Sequence, residues 1–200
     1  MPPLTERNDI IRARNVTASE CYALLGRHPY TDKLKIYDRL TSPWEYGHPE
    51  QTEAMALGVY LEPYVARYAA RKHGVKVRAN IRSVEYPGPI NLCATPDYLI
   101  LNQPYLMEVK VSSITYGWTE DALHPWYEWQ ARAQMACTGR DAVLVVALVG
   151  STFHSVWVTR DTEKEERLLD AVDAFFHDHV LPEVRPVLEE ETLMAVVTAK

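Results

Sequence analysis

Cysteine is scarce in this chain of 200 residues, and the cysteines that are present stand far apart. They are Cys21, Cys93 and Cys137. Their odd number and wide spacing exclude both a disulfide framework and a Cys-x-x-Cys metal knuckle. We therefore expect reduced thiols, buried as small apolar side chains in a reducing compartment.

The chain also lacks an excess of positive charge and any long apolar run. Lysine and arginine total 21 against 27 aspartates and glutamates, so the net charge of −6 gives no global field that attracts a polyanion. A local basic patch or a bound metal would still permit contact with nucleic acid. No apolar run approaches the roughly 18 residues of a transmembrane helix, and the N-terminal sequence lacks the core of a signal peptide. These absences predict a soluble cytoplasmic protein with no membrane partner.

The length and composition fit one domain. Of the 200 residues, 47% are hydrophobic and 24% are charged, which is ordinary for a globular protein that needs no disulfides. We predict a single domain over residues 1–200, with a core at about 12–180 and a C-terminal tail at about 182–200.

Apolar periodicity of three to four residues predicts the helices. Pro63 is expected to kink the longest of them or to mark a junction, and a capping box of Thr162 and Glu165 is expected to begin the last. The predicted inward positions of the longest helix are Leu57, Leu61, Val65, Tyr68 and Ala69, and those of the last are Leu168, Val172, Phe175 and Phe176. The predicted helices are Thr17–Leu25, Asp32–Leu40, Pro49–His73, Leu123–Thr138 and Thr162–Val180.

A period of two predicts strands between and after these helices. The continuous apolar run Ala142–Val149 is typical of a central strand that is covered on both faces, with Thr152–Val158 as its hairpin partner. The element order predicts one α/β or α+β domain. The remaining predicted strands are Val75–Arg78, Ile81–Tyr86, Ile90–Cys93, Tyr98–Leu101 and Tyr105–Val111.

Two adjacent predicted strands carry the residues with the most chemistry. Alternation places Glu108 and Lys110 on one face of their strand, and a short turn folds Asp97 back beside Glu108. Two carboxylates with the Val109 carbonyl between them would make the oxygen-rich environment that Mg²⁺ selects. The spacing alone also fits an edge strand with a Glu108–Lys110 surface pair and a turn aspartate, because charged residues on a solvated strand face are common.

The motifs together resemble a known family. Pro96-Asp97, ten intervening residues and Glu108-Val109-Lys110 resemble the PD-(D/E)xK nuclease core. With the other motifs, the sequence is similar to the phage lambda-type alkaline exonucleases, or YqaJ-like viral recombinase family, from about Arg12 to Val180. The other motifs are Val16-Thr17-Ala18-Ser19-Glu20, Gly58-x-x-x-Glu62-Pro63, and Gln130 before Met135 and Thr138-Gly139.

The resemblance implies a restriction-endonuclease-like α/β core, with a mixed central sheet flanked by helices, and a role for each matched residue. It implies that Asp97, Glu108, the Val109 carbonyl and Glu62 are ligands of Mg²⁺ or Mn²⁺, and that Lys110 is the catalytic lysine. It assigns Gln130 a contact with the lysine or with water, and Gln134, one turn later, is a rival. It implies that Arg12 and Ser19 hold a 5′-phosphate of DNA, and Arg14 is an equally near candidate.

The resemblance also implies an activity and partners. It predicts a Mg²⁺-dependent exonuclease that digests duplex DNA from the 5′ end and leaves 3′ single-stranded overhangs for recombination. The expected partners are double-stranded DNA ends, further copies of the chain in a ring-shaped trimer, and a single-strand annealing protein. A DNA endonuclease of the same fold, or an inactive DNA-binding or assembly module, remains the alternative.

Three further features concern DNA contacts. We expect Thr17–Ser19 to open a helix whose free N–H groups hold the phosphate. Aromatic residues after the catalytic strand are expected to pack in the core or at a subunit interface rather than stack on bases. A basic stretch fits equally well a surface that contacts DNA phosphates and a solvated face with no partner. The aromatic residues are Tyr116, Trp118, Trp126, Tyr127 and Trp129, and the basic residues are Arg67, Arg71, Lys72, Lys76, Arg78 and Arg82.

Overall fold

The computed structural model describes residues 4–26, 28–42, 52–113, 118 and 123–187. The predicted helix start at 49–51, Tyr116 and the C-terminal tail from residue 188 onward lie outside the described residues. Within these ranges, none of the helices combines the length and the apolar character that crossing a bilayer requires.

The described residues before position 43 form three helices and one short strand. They are α1 (Leu4–Ala13), β1 (Val16–Thr17), α2 (Tyr22–Leu25) and α3 (Lys33–Thr41), and the Asp32 side chain caps α3 by accepting a hydrogen bond from the Lys35 N–H. The prediction of one helix over Thr17–Leu25 was wrong, because Val16 and Thr17 pair in parallel with Leu92 and Cys93 of a distant strand. This pairing with a remote segment overrides the local helical pattern.

The long helix α4 (Glu53–His73) begins at Thr52, whose side chain accepts a hydrogen bond from the Met55 N–H, and ends at Gly74 in the left-handed conformation. It continues through Pro63, so the expected junction there is absent. Val65 and Ala69 are buried as predicted, but Leu57 and Tyr68 are 53% and 50% exposed. The reason is that α4 packs on the sheet along a narrow stripe that includes Ala66.

The described strands form two sheets. In the larger sheet, β6 pairs in parallel with β7 and the other neighbours are antiparallel, so the sheet is mixed as predicted. The strand order is β2-β5-β6-β7-β8 in the larger sheet and β1-β4-β3 in the smaller one. The strands are β2 (Val77–Ala79), β3 (Val84–Glu85), β4 (Leu92–Ala94), β5 (Tyr98–Ile100), β6 (Tyr105–Ser112), β7 (Ala142–Val149) and β8 (Thr152–Thr159).

The C-terminal helices are α5 (Pro125–Thr138) and α6 (Thr162–Phe175), which continues as a π-helical turn over Phe176–Val180. The predicted capping box was wrong. The Asp161 side chain caps α6 by accepting a hydrogen bond from the Lys164 N–H, and Glu165 is buried and paired with Arg160. The ion pair with Arg160, a residue outside the helix, explains why Glu165 does not reach back to the helix start.

Helices cover both faces of the larger sheet. Met107, Val109 and Val146 pack under α4, whereas Leu106, Val143 and Val145 pack under α5. Alternation along β6 therefore sends its apolar side chains into two separate cores. The prediction of a mixed sheet flanked by helices is confirmed, and the face of β6 that carries Glu108 turns towards α5.

Candidate active site

The turn between β5 and β6 brings the two predicted carboxylates together. Tyr98 pairs with Met107 and Leu99 with Leu106, so Asp97 lies opposite Glu108. The reversal needs Asn102 at a φ of 62°, in the left-handed region that asparagine tolerates well. The Val109 N–H then donates to Asp97 Oδ2 at 2.8 Å instead of to a strand neighbour. Because the N–H and C=O groups of one strand residue share an edge, the Val109 carbonyl also lies on the Asp97 side.

Glu108 is held by three donors. Its Oε1 accepts hydrogen bonds from Lys110 Nζ at 2.7 Å and from Gln130 Nε2 at 2.6 Å. Its Oε2 accepts one from Gln134 Nε2 at 2.6 Å. The side chain is almost completely buried, at 4% exposure. The carboxylate is therefore fixed in orientation and almost completely shielded from bulk solvent.

Gln130 and Gln134, predicted as alternatives, both bind the same carboxylate. They stand four residues apart on α5 and so share one helix face. Because Glu108 can only accept, both amides must present nitrogen to it, which leaves the Gln134 Oε1 oxygen buried and without a hydrogen-bond partner among the described residues. The contact of Gln130 with Glu108, rather than with Lys110 itself, makes it a support of the carboxylate.

The charges at this site do not balance. Burial and the neighbouring Glu108 charge raise the pKa of Asp97 well above its usual range, although Lys110 opposes the rise. Burial disfavours the charge of Lys110, but Glu108 and Asp97 outweigh it and raise the pKa of the ammonium group. Two carboxylates thus face one lysine, which leaves a net negative charge at the site when both carboxylates are ionised.

Lys110 also lies against an aromatic ring. Its Nζ stands 5.1 Å from the centroid of the Tyr127 ring, within the range of a cation–π interaction. This contact and the Glu108 bond hold the ammonium group from two sides. The sequence offered Tyr127 only as one member of an aromatic cluster, so its position under the lysine was not predicted.

Glu62, on α4, lies close enough to Tyr98 and Asp97 to affect both. Burial, followed by the charge of Glu62 and its hydrogen bond, raises the pKa of Tyr98 to about 12. The Glu62 charge also contributes to the raised pKa of Asp97. Among the described residues, no three His, Cys, Asp or Glu side chains lie close enough together to hold a metal ion. The ligand role of Glu62 therefore stays a prediction.

A cavity of about 140 Å³ joins the carboxylates to the N-terminal motif. Arg12 and Ser19, the two predicted phosphate-binding residues, line it together with Asp97 and Glu108. Arg14, the rival of Arg12, instead forms an exposed ion pair with Glu85 at 3.0 Å. The remaining lining residues are Thr17, Ala18, Cys93, Thr95, Gln130 and Gln134.

The prediction that a helix N-terminus lies at this cavity was wrong. The helix α2 has four residues and begins only at Tyr22. The Thr17 N–H donates to the Glu20 carboxylate and the Ala18 N–H to the Cys93 carbonyl, so neither is free for a phosphate. The Thr17 hydroxyl donates its single hydrogen to the Glu20 carboxylate. In the 3.1 Å hydrogen bond between the Thr17 and Ser19 hydroxyls, Ser19 is therefore the donor.

The cysteine prediction and part of the aromatic prediction are confirmed. All three cysteines are free and buried. Trp118 and Trp129 are buried in the core, and Trp126 stacks on His124 with ring centroids 4.0 Å apart. The six residues of the basic stretch are exposed, with Arg67 over the Tyr64 ring and Lys72 over the Phe153 ring. Their exposure fits both a surface that contacts DNA phosphates and a solvated face with no partner.

Known proteins resemble this chain in sequence. The profile of the YqaJ-like viral recombinase domain matches residues 10–141, a segment that contains the whole N-terminal motif, the carboxylate pair and α5. The chain belongs to this family. It is also similar to the YqaJ protein of Bacillus subtilis (strain 168), at 25% identity over 186 residues that cover 90% of the chain and 58% of the relative. The chain therefore spans little more than half the length of that relative.

Solved structures share the fold of this YqaJ-like chain. An alkaline exonuclease from Laribacter hongkongensis matches with a TM-score of 0.70 and 21% identity, over 98% of this chain and 100% of that one. A phage-related exonuclease from Haemophilus somnus 129PT matches with a TM-score of 0.58 and 13% identity, over 82% and 94% of the two chains. These likenesses confirm the predicted restriction-endonuclease-like core.

Proposed function

We propose that the chain is a Mg²⁺-dependent nuclease that digests linear duplex DNA from the 5′ end and leaves 3′ single-stranded overhangs for recombination. The observation that carries the proposal is the convergence of Asp97, Glu108 and Lys110, with the carboxylates outnumbering the lysine. Its relatives in structure include proteins described as exonucleases.

The donor set suits a small divalent cation. Asp97, Glu108 and the Val109 carbonyl offer only oxygen, which Mg²⁺ and Mn²⁺ prefer. Burial and then the Glu108 charge raise the pKa of Asp97, and a bound cation would offset both effects. These three groups would hold the ion, with Glu62 beside them. A divalent cation supplies Lewis-acid stabilisation of charge on a phosphoryl oxygen and promotes ionisation of water.

The protein residues would act by positioning and charge. Gln130 and Gln134 fix the Glu108 carboxylate, so that it need not reorganise when the substrate binds. Lys110, charged and held between Glu108 and Tyr127, would stabilise the negative charge that grows on the scissile phosphate. In this role it contributes more to the transition state than to the ground state.

The cavity gives the proposed direction of digestion. Arg12 and Ser19 line the same cavity as Asp97 and Glu108, and they would hold a terminal 5′-phosphate while the next phosphodiester reaches the two carboxylates. Each cut would generate a new 5′-phosphate for the same residues. A phosphate oxygen would compete with Thr17 for the Ser19 hydroxyl hydrogen, which requires only a rotation of that hydroxyl.

The proposed partners follow from the family resemblance. They are double-stranded DNA ends, further copies of the chain in a ring-shaped trimer, and a single-strand annealing protein. Light scattering on the purified protein would measure the number of subunits directly.

The test is digestion of linear duplex DNA labelled at one end. With Mg²⁺, we expect early release of a 5′ label, late release of a 3′ label, and no cutting of a closed circular duplex. Cutting of the circle would indicate the endonuclease, and binding to DNA without any cutting in Mg²⁺ or Mn²⁺ would indicate the inactive module. Loss of the 3′ label first would overturn the proposed direction.

A further inference from the structure

One arginine outside every matched motif ties together the segments that carry Arg12 and Ser19. Arg39, on α3, is mostly buried, with 15% of its side chain exposed. Its Nη1 donates to the Arg12 carbonyl and its Nη2 to the Asn15 carbonyl at 2.9 Å. It therefore holds the backbone at the end of α1, where Arg12 is located.

The same guanidinium group binds the turn that carries Ser19. Arg39 Nε donates to Glu20 Oε1 at 2.9 Å, and Nη2 donates to Glu20 Oε2 at 2.7 Å. Glu20 Oε2 accepts further hydrogen bonds from the Thr17 N–H at 3.0 Å and the Thr17 hydroxyl at 2.8 Å. The Thr17 hydroxyl in turn contacts Ser19 Oγ. A continuous network thus runs from Arg39 through Glu20 to Ser19.

We propose that Arg39 and Glu20 are positioning residues that set the distance between Arg12 and Ser19 and so determine the preference for a 5′-phosphate; this rests on the phosphate role given to Arg12 and Ser19 above. Four N–H groups of Arg39 are used in a planar arrangement on one carboxylate and two carbonyls. A lysine ammonium cannot reproduce this arrangement, because it has three donors and no fixed plane. Small displacements of a positioned group weaken its effect strongly.

The test compares two duplexes that differ only in the phosphate at one 5′ end. Equilibrium dissociation constants are measured in Ca²⁺ for the 5′-phosphorylated and the 5′-hydroxyl duplex, and the ratio of the two is the readout. We expect the wild type to prefer the phosphate, and Arg39→Lys, Arg39→Met and Glu20→Gln to reduce the ratio by roughly tenfold. A general loss of stability would weaken binding of both duplexes equally and leave the ratio unchanged.

The matched control breaks a second arginine–carboxylate ion pair, one that also involves α3. Arg185 Nη2 bonds Asp38 at 2.9 Å on the exposed side of α3, away from the cavity. Arg185→Met should keep the wild-type ratio. If Arg39→Met fails to unfold cooperatively on heating, Arg39→Lys and Glu20→Gln decide the matter.

The outcomes separate this inference from the proposed nuclease. Variants that keep the wild-type ratio, or a wild type without phosphate preference, would overturn the positioning role whether or not the enzyme cuts DNA. A wild type that cuts no DNA, yet prefers the phosphate through Arg39, would retain the positioning role and refute the nuclease.

Discussion

Asp97→Asn should make the metal-free protein more stable, although it removes a residue of the proposed site. The substitution removes one of two neighbouring carboxylate charges. It keeps the hydrogen bond, because an asparagine oxygen can still accept from the Val109 N–H. Aspartate and asparagine have nearly the same shape, so packing around the side chain should not change.

The magnitude follows from the charges at the site. Burial of the Asp97 carboxylate contributes most, and repulsion from Glu108 adds to it. Two unit charges about 4 Å apart interact by about 4 kcal/mol near a protein surface, and attraction between Asp97 and Lys110 offsets part of this cost. We expect a gain of about 1–3 kcal/mol in the free energy of unfolding in EDTA at pH 8. An acid whose folded pKa is raised destabilises the folded state as the pH rises above its unfolded pKa. The gain should therefore disappear at a pH below that value.

Divalent cations should make the wild type more stable than Asp97→Asn, the reverse of the order expected in EDTA. A ligand present at a hundred times its dissociation constant adds about 2.7 kcal/mol, so Mg²⁺ should stabilise the wild type but not Asp97→Asn. The assay is urea unfolding of both proteins in EDTA and in Mg²⁺, with the exposed Asp170→Asn as the matched control. A variant that is less stable than the wild type in EDTA would refute the charge imbalance at this site.

Three further predictions concern the lysine, the metal and the thiols. Lys110→Ala should lose at least about a hundredfold in single-turnover cleavage while DNA binding in Ca²⁺ stays near normal, and Lys110→Arg should not restore the rate; restoration would show that charge alone suffices. Mg²⁺ and Mn²⁺ should support cleavage, whereas Ca²⁺ should bind without efficient turnover; equal rates in Ca²⁺ would contradict the site's preference for a small ion. Burial raises the pKa of Cys93 to about 12 and that of Cys21 and Cys137 further, so alkylation at pH 8 should be roughly a thousandfold slower in the native than in the urea-unfolded chain.

The carboxylate pair was predictable because its geometry is local. Asp97 and Glu108 belong to two strands joined by a tight turn, and alternation fixes which face each residue takes. Glutamines four residues apart on a helix must likewise share a face. The sequence therefore contained the signal that Gln130 and Gln134 point to the same region, although nothing in it identified Glu108 as their shared partner or the Gln134 oxygen that lacks a hydrogen-bond partner among the described residues.

The incorrect predictions share a physical cause, since each residue contacts a partner that lies outside the helix its local pattern predicts. Thr17 resembles a helix cap, but it joins a strand because Leu92 and Cys93 offer a partner more than seventy residues away. Glu165 resembles the end of a capping box, but Arg160 binds it. Arg39 looks like an ordinary surface residue of a short helix. Its contacts near the cavity form only where three segments of the chain meet, and no local sequence pattern reveals this.

The single-turnover rate of duplex cleavage in Mg²⁺ tests most directly whether Asp97 and Glu108 form the proposed metal-dependent nuclease site. Asp97→Ala and Glu108→Ala should each lose at least about a hundredfold in that rate, equivalent to about 2.7 kcal/mol of transition-state stabilisation. Asp170→Ala, a change at an exposed aspartate, should retain the wild-type rate. Near-normal cleavage by both site variants would contradict the account.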